Sequence, residues 1–217
     1  MALTLYAHPF SSYSQKVLIA LWENEIAFTY RTVGEEPGAA EAHRALWPFA
    51  KFPTLVDDGR TVAETTIIIE YLGLHHPGPV RLIPADPQAA LEIRFLDRVF
   101  DHYVMTPVQE AVVAVLRGGD RDEAVAGAAP RLETAYGWLE THLAGRSWAA
   151  GEGFTMADCA AAPSLFYADW VHQIDDARFP TLRAYRTRLL ARPSVARAVD
   201  GGRPYRHYFP LGAPERD

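Results

Sequence analysis

The chain has 217 residues, 49% of them hydrophobic and 22% charged, which supports two modest cores and excludes disorder as the global state. Its formal net charge of -6, without a Lys/Arg run, leaves nothing to neutralise a phosphate backbone and excludes nucleic acid as the expected partner. The single cysteine, Cys159, excludes an intramolecular disulfide framework and a multi-cysteine metal centre. The eight histidines show no spacing with carboxylates that suggests a metal site either. No signal-peptide pattern opens the chain, and no apolar run approaches the roughly 20 residues of a membrane span, so a cytoplasmic protein with no membrane partner is expected.

Leu3 to Tyr6 alternates as a short strand, stopped by His8-Pro9. After the loop Phe10-Ser11-Ser12-Tyr13, the spacing of Val17, Leu18, Leu21 and Trp22 predicts a helix from Ser14 to about Asn24. Ala27 to Val33 alternates again, and a strand on each side of a helix predicts a right-handed β-α-β crossover with a parallel strand pair. Ala39 to Leu46 has weak helical periodicity. Thr54-Leu55-Val56 and Thr61-Val62-Ala63 flank an Asp-Gly turn, a hairpin signal that adds antiparallel strands at the sheet edge. Ile68, Tyr71, Leu72 and His75 then share one face of a helix that stops at His76-Pro77-Gly78-Pro79. The order is βαβαββα.

Four prolines between Pro77 and Pro87 mark a linker, giving expected domains at 1–77 and 89–217 joined by 78–88. The second domain reads as an all-α bundle. Its stripes are Leu96, Val99, Phe100 and Tyr103; Leu132, Ala135, Tyr136, Leu139 and Leu143; and Leu182, Tyr185 and Leu189. Pro107 and Pro163 fall inside these helices and are expected to kink or end them.

A βαβ half followed by a ββα half is a thioredoxin-like plan, which carries a cis proline where Pro53 opens the third strand. The cis form of an X-Pro bond costs only about 0.5–1 kcal/mol. Held this way, the backbone of Phe52 faces outward and pairs with an extended peptide-like ligand; a trans proline starting an edge strand is the alternative, and position alone leaves both open. Glu64-Thr65 lies where a strand passes into a helix. Thr65 there reads as a cap whose neighbouring free N–H groups receive a carboxylate, with Glu64 pairing an ammonium; an ordinary helix start is the alternative. Together these features fit a ligand with a peptide bond, an α-carboxylate and an α-amine.

Ser11-Ser12-Tyr13-Ser14, Lys51-Phe52-Pro53-Thr54-Leu55, Glu64-Thr65 and Phe154-Thr155-Met156-Ala157-Asp158, in this order over nearly the whole chain, resemble a cytosolic glutathione transferase of the bacterial, serine-type, theta/zeta-like kind. The resemblance implies a homodimer that takes glutathione as co-substrate, without a metal, and a small electrophile against the helical domain. It further implies that Phe52 pairs the cysteinyl backbone and that Glu64 and Thr65 hold the γ-glutamyl end. Lys51 is the candidate for the glycyl carboxylate, with His43 and Arg44 as weaker ones. Leu46-Trp47-Pro48-Phe49-Ala50 replaces the family's frequent Asn-Pro-x-Gly.

An unperturbed thiol, with a pKa near 8.5, is only a few per cent thiolate at pH 7, so a donor must be aimed at the sulfur. Ser11, in the loop before a helix whose positive end also favours an anion, is the expected donor. Ser12 and Ser14 are its rivals, with Tyr13 a further alternative; Tyr6 reads as core. No cysteine occupies the loop, which disfavours thiol-transferase chemistry. Phe10, Phe100, Tyr103, Phe166 and Tyr208 are the expected electrophile pocket. Thr155 and Asp158 read as a structural capping box, with Phe154 stapled against a buried Cys159. The expected activity is attack of activated glutathione on a hydrophobic electrophile. Isomerisation like that of maleylacetoacetate isomerases and a non-catalytic glutathione-binding role are the alternatives.

Overall fold

A computed structural model describes residues 3–217. The N-terminal domain runs β1 (Leu3–Ala7), α1 (Ser12–Glu23), β2 (Thr29–Thr32), α2 (Ala39–Leu46), β3 (Thr54–Asp57), β4 (Arg60–Ala63) and α3 (Thr65–His75). These strands form one sheet in the order β2-β1-β3-β4. β2 lies parallel to β1 with Leu5 opposite Tyr30, and β3 antiparallel with Leu5 opposite Leu55. Leu3, Leu5 and Ala7 are buried while Thr4 and Tyr6 are half-buried, as a period of two requires of a strand with a drier face.

The rest of the chain is helical: α4 (Pro87–Val99), a π-helical stretch (Phe100–Met105), α5 (Thr106–Leu116), α6 (Arg121–His142), α7 (Met156–Val171), α8 (Pro180–Leu190), α9 (Pro193–Gly202) and a 3-10 turn (Arg203–Tyr208). Asp86 caps α4 through the Ala89 N–H, and Asp120 caps α6 through the Glu123 N–H. Every residue of α7 is buried, which makes it the axis of this domain. Its start is fixed by Asp158, fully buried, whose carboxylate accepts from the Thr155 N–H and hydroxyl, the Ala149 N–H and the Tyr185 hydroxyl at 2.7–2.9 Å. Phe154 stands edge-on to Trp148, and Cys159 is fully buried.

Three details differ from the sequence expectations. The stripe through Phe100 continues to Val104 and Met105, both buried, while Tyr103 is 64% exposed. The π-helical turn is the reason, because i→i+5 bonding winds the chain more slowly and moves the buried face one residue on. Pro107 lies within the unbroken helical run from Pro87 to Leu116, directly after the π-helical turn, and Pro163 lies within an uninterrupted α7, so neither ends its helix. On α3 the buried face is Thr65, Ile68, Ile69 and Leu72; His75 is exposed and lies over Tyr71, with ring centroids 4.3 Å apart.

α1 joins the two domains. It packs on α3 in its own domain and on α7 and α9 in the other, so it is buried on nearly all sides. Lys16, 1% exposed, sits 2.6 Å from Asp97 and 2.9 Å from Asp101, and Thr66 of α3 donates to Asp97 at 2.7 Å. Arg98 pairs both aspartates from the solvent side. Two carboxylates buried within reach of each other need this cationic clamp.

Candidate active site in the interdomain cleft

A cleft of about 420 Å³ opens between the domains, lined by the loop before α1, by Lys51 and Phe52 before β3, by one side of α5 and by Tyr208 to Pro210. The loop is braced from the helical domain. Tyr167 of α7 donates to the Phe10 carbonyl at 2.9 Å, and the buried Gln15 amide donates to the Pro9 carbonyl at 2.9 Å and to the Tyr167 hydroxyl at 3.2 Å.

This bracing gives the three serines different environments. Ser11 is the N-cap of α1, in extended geometry, and its Oγ accepts the Ser14 N–H at 3.3 Å. Its oxygen is engaged as an acceptor, so its O–H is free to point into the cleft beside the positive end of α1. Ser14 is fully buried and its Oγ accepts the His8 N–H at 3.3 Å, which turns it inward. Ser12 borders the cleft but is only 5% exposed, and its Oγ has no hydrogen-bond partner among the described residues. Tyr13 also borders the cleft; burial first, and then the Asp101 carboxylate, push its phenol up to about 12, so it stays protonated. Glu64 adds to that negative field, but neither Glu64 nor Thr65 is among the residues that line the cleft.

The Phe52–Pro53 bond is cis. Phe52 borders the cleft, with its ring 6.3 Å from that of His8, and Lys51 is exposed at the rim. Ala50 takes a left-handed φ of 51°. His43 is only 1% exposed and is bonded to Thr54 at 3.0 Å, and burial lowers its pKa, so it braces β3 from inside and is not a surface cation. Arg44 is exposed and outside the cleft lining. Thr65 is not a cap: it is the first residue of α3 and 8% exposed, and Glu64 holds the N-cap position with φ 69° and its side chain exposed. A non-glycine residue held at positive φ costs about 1–3 kcal/mol and gathers where function requires it.

Of the expected electrophile residues, Phe10 and Tyr208 border the cleft. Phe100 is fully buried in the core, and Tyr103 faces solvent outside the cleft for the π-helical reason given above. Phe166, 4% exposed, lines a separate crevice with Gln15, Tyr167 and Trp170. The apolar wall is instead Met105, Val108, Val112 and Leu116, with Gln109 the polar side chain among them. The i, i+4 spacing of Val108, Val112 and Leu116 is visible in the sequence; which face meets the cleft is not. His8, read only as the end of a strand, also borders the cleft.

Comparison with known proteins agrees with this construction. The family profile "Glutathione S-transferase, N-terminal domain" matches residues 5–80, and "Glutathione S-transferase, C-terminal domain" matches residues 122–188. The chain is 32% identical over 161 residues to "Glutathione S-transferase-like protein LUC7" of Fusarium sp, covering 70% of this chain and 71% of that one. It is 28% identical over 215 residues to a "Probable maleylacetoacetate isomerase" of Vibrio cholerae, covering 94% and 98%. The solved glutathione S-transferase of Methylobacillus flagellatus with gsh bound superposes with a TM-score of 0.78 at 25% identity, covering 91% of this chain and 98% of that one. With family profiles matched in both halves and a relative 32% identical over 70% of this chain, the chain belongs to the glutathione S-transferase family.

Proposed function

We propose that the protein is a glutathione transferase, working as a homodimer, that binds glutathione along the N-terminal side of the cleft and directs its thiolate at a small hydrophobic electrophile held against α5. The observation that carries this reading is Ser11: a cleft-facing hydroxyl whose oxygen already accepts a hydrogen bond and whose proton is therefore available to a sulfur. The start of α1 adds its dipole in the same direction. Phe52 offers its backbone to the cysteinyl unit, Glu64 and Thr65 hold the γ-glutamyl end, and Lys51 at the rim meets the glycyl carboxylate. Catalysis then consists of a pre-formed thiolate positioned beside its target. The test is thiolate absorbance on adding glutathione: wild type develops the band at neutral pH, and Ser11→Ala does not. Calorimetric titration separates this from a non-catalytic role, since a protein that binds no glutathione cannot be this enzyme.

Glutathione-dependent cis-trans isomerisation is the second reading, supported by the length over which the chain matches the "Probable maleylacetoacetate isomerase" of Vibrio cholerae. Turnover of maleylacetone distinguishes it. Cys159 offers no route to thiol-disulfide exchange, because it is fully buried and burial pushes its thiol well up.

A further inference from the structure

One face of α5, continued by Met105 before it, walls the cleft: Met105, Val108, Gln109, Val112 and Leu116 follow one helical stripe at i, i+3, i+4, i+7 and i+11. Every member but Gln109 is apolar, and Gln109 stands in the middle, with apolar wall on either side along the helix. Its side chain is half-buried, and its amide makes no hydrogen bond with another described residue. The one charged residue of α5, Glu110, is exposed and pairs with Arg131 of α6 outside the cleft lining. An uncharged amide without a partner is therefore what this wall offers to a molecule in the cleft.

In the free protein solvent satisfies that amide, and an electrophile bound against α5 takes the solvent's place. A wholly apolar ligand then leaves the Gln109 carbonyl and its N–H groups unmet, which weakens binding by about tenfold. A ligand carboxamide answers both halves of the side chain at once: its carbonyl accepts from Nε2–H and its N–H donates to Oε1. A ketone, an ether or a nitro group answers only the donor half.

The rest of the lining favours a ligand without charge. Among the described residues no carboxylate borders the cleft to meet a cation. Glu35, whose field reaches His8, is bonded to Tyr205, and Asp101, whose field reaches Tyr13, is bonded to Lys16. Lys51, at the rim, is occupied by the glycyl carboxylate in the reading above.

We propose that Gln109 is a specificity-determining residue of the cleft, and that the electrophile it selects is an uncharged molecule carrying a carboxamide on an otherwise apolar body. This rests on the glutathione-transferase reading and extends it to a substrate class. The carboxamide lies away from the reacting carbon, so Gln109 orients the electrophile and takes no part in forming the thiolate.

The experiment is calorimetric titration of wild type and Gln109→Met with S-benzylglutathiones that differ only at the ring. One pair carries a carbamoyl group at the meta or para position, and the other carries an isopropyl group of the same shape there; S-methylglutathione is the reference that leaves α5 untouched. Gln109→Met keeps the length of the side chain and removes its hydrogen bonds. It should weaken the better-binding carbamoyl ligand and tighten its isopropyl counterpart, moving the ratio of their Kd values by about tenfold, with S-methylglutathione unchanged. A ratio that stays put, or equal losses for both ligands, would make Gln109 a mere part of the wall and overturns the proposal. So does a wild type that binds no benzyl derivative more tightly than S-methylglutathione. All of these outcomes leave the glutathione reading standing; a wild type that binds neither glutathione nor S-methylglutathione sinks that reading itself.

Discussion

Three serines of identical chemistry stand within four residues at the start of α1, and only their surroundings tell them apart. Ser14 is turned inward by the His8 N–H, Ser12 is enclosed, and Ser11 borders the cleft with its oxygen engaged as an acceptor. Ser11→Ala should therefore raise the pKa of bound glutathione by about 1–2 units, the scale of one directed hydrogen bond to an anion. Tyr13→Phe should leave that pKa in place, because Glu64, Asp97 and Asp101 make the neighbourhood of Tyr13 hostile to a second anion. Ultraviolet titration of the two complexes checks both, and a larger shift in Tyr13→Phe would move the donor to the phenol. Ala50 gives a second test at this scale. It holds φ 51°, where a Cβ is strained. Ala50→Gly should stabilise the protein by about 0.5–1 kcal/mol in urea denaturation, since glycine reaches this region without a steric penalty.

Between elements, the most consequential contact is the clamp of α1 on α4 and the π-helical stretch. Lys16 reaches Asp97 and Asp101 across the domain boundary, beneath the loop that carries Ser11. Lys16→Met preserves the volume of the stem and leaves the two buried carboxylates with only the half-exposed Arg98 to pair them, a loss of up to about 3–5 kcal/mol. The urea midpoint should fall accordingly, and adding Asp97→Asn and Asp101→Asn should recover part of the loss. No recovery would mean that packing, and not charge, holds the junction. Asp158 is the matching device inside the helical domain. Its replacement by Ala leaves the Thr155 and Ala149 N–H groups and the Tyr185 hydroxyl unmet in the core. About 3 kcal/mol of destabilisation is expected, which thermal denaturation reads as a fall of roughly 10 °C for a chain of this size.

At the scale of the whole molecule, large apolar side chains remain uncovered on α3 and α4. Ile67 is 54% exposed, Leu74 78%, Leu91 58% and Phe95 53%, and Phe49 beyond α2 is 73% exposed. Several such residues on neighbouring helices exceed the scatter of single apolar residues normal on a monomer surface, and a second copy of the chain is the partner proposed above. Leu91→Glu combined with Phe95→Glu should convert a dimer to a monomer by light scattering while leaving the circular dichroism of the fold intact. A dimer that survives both charges would place the interface elsewhere.

The sequence by itself determined what is local or periodic. The βαβαββα order, the helical stripes through Leu132 to Leu143, the Asp-Gly hairpin and the Thr155–Asp158 pairing all rest on neighbours within a turn or two of chain. The order of the Ser11, Phe52-Pro53 and Glu64-Thr65 motifs was enough to reveal the family. Tertiary structure alone decided what depends on distant partners. Ser11 differs from Ser14 because Tyr167 and Gln15 brace the loop. Tyr103 yields its buried place to Val104 because one π-helical turn shifts the phase of a whole stripe, a change no residue spacing announces. His8, a strand terminator in the sequence, takes its place on the cleft wall only once the Phe10 N–H and the Tyr205 ring close around it.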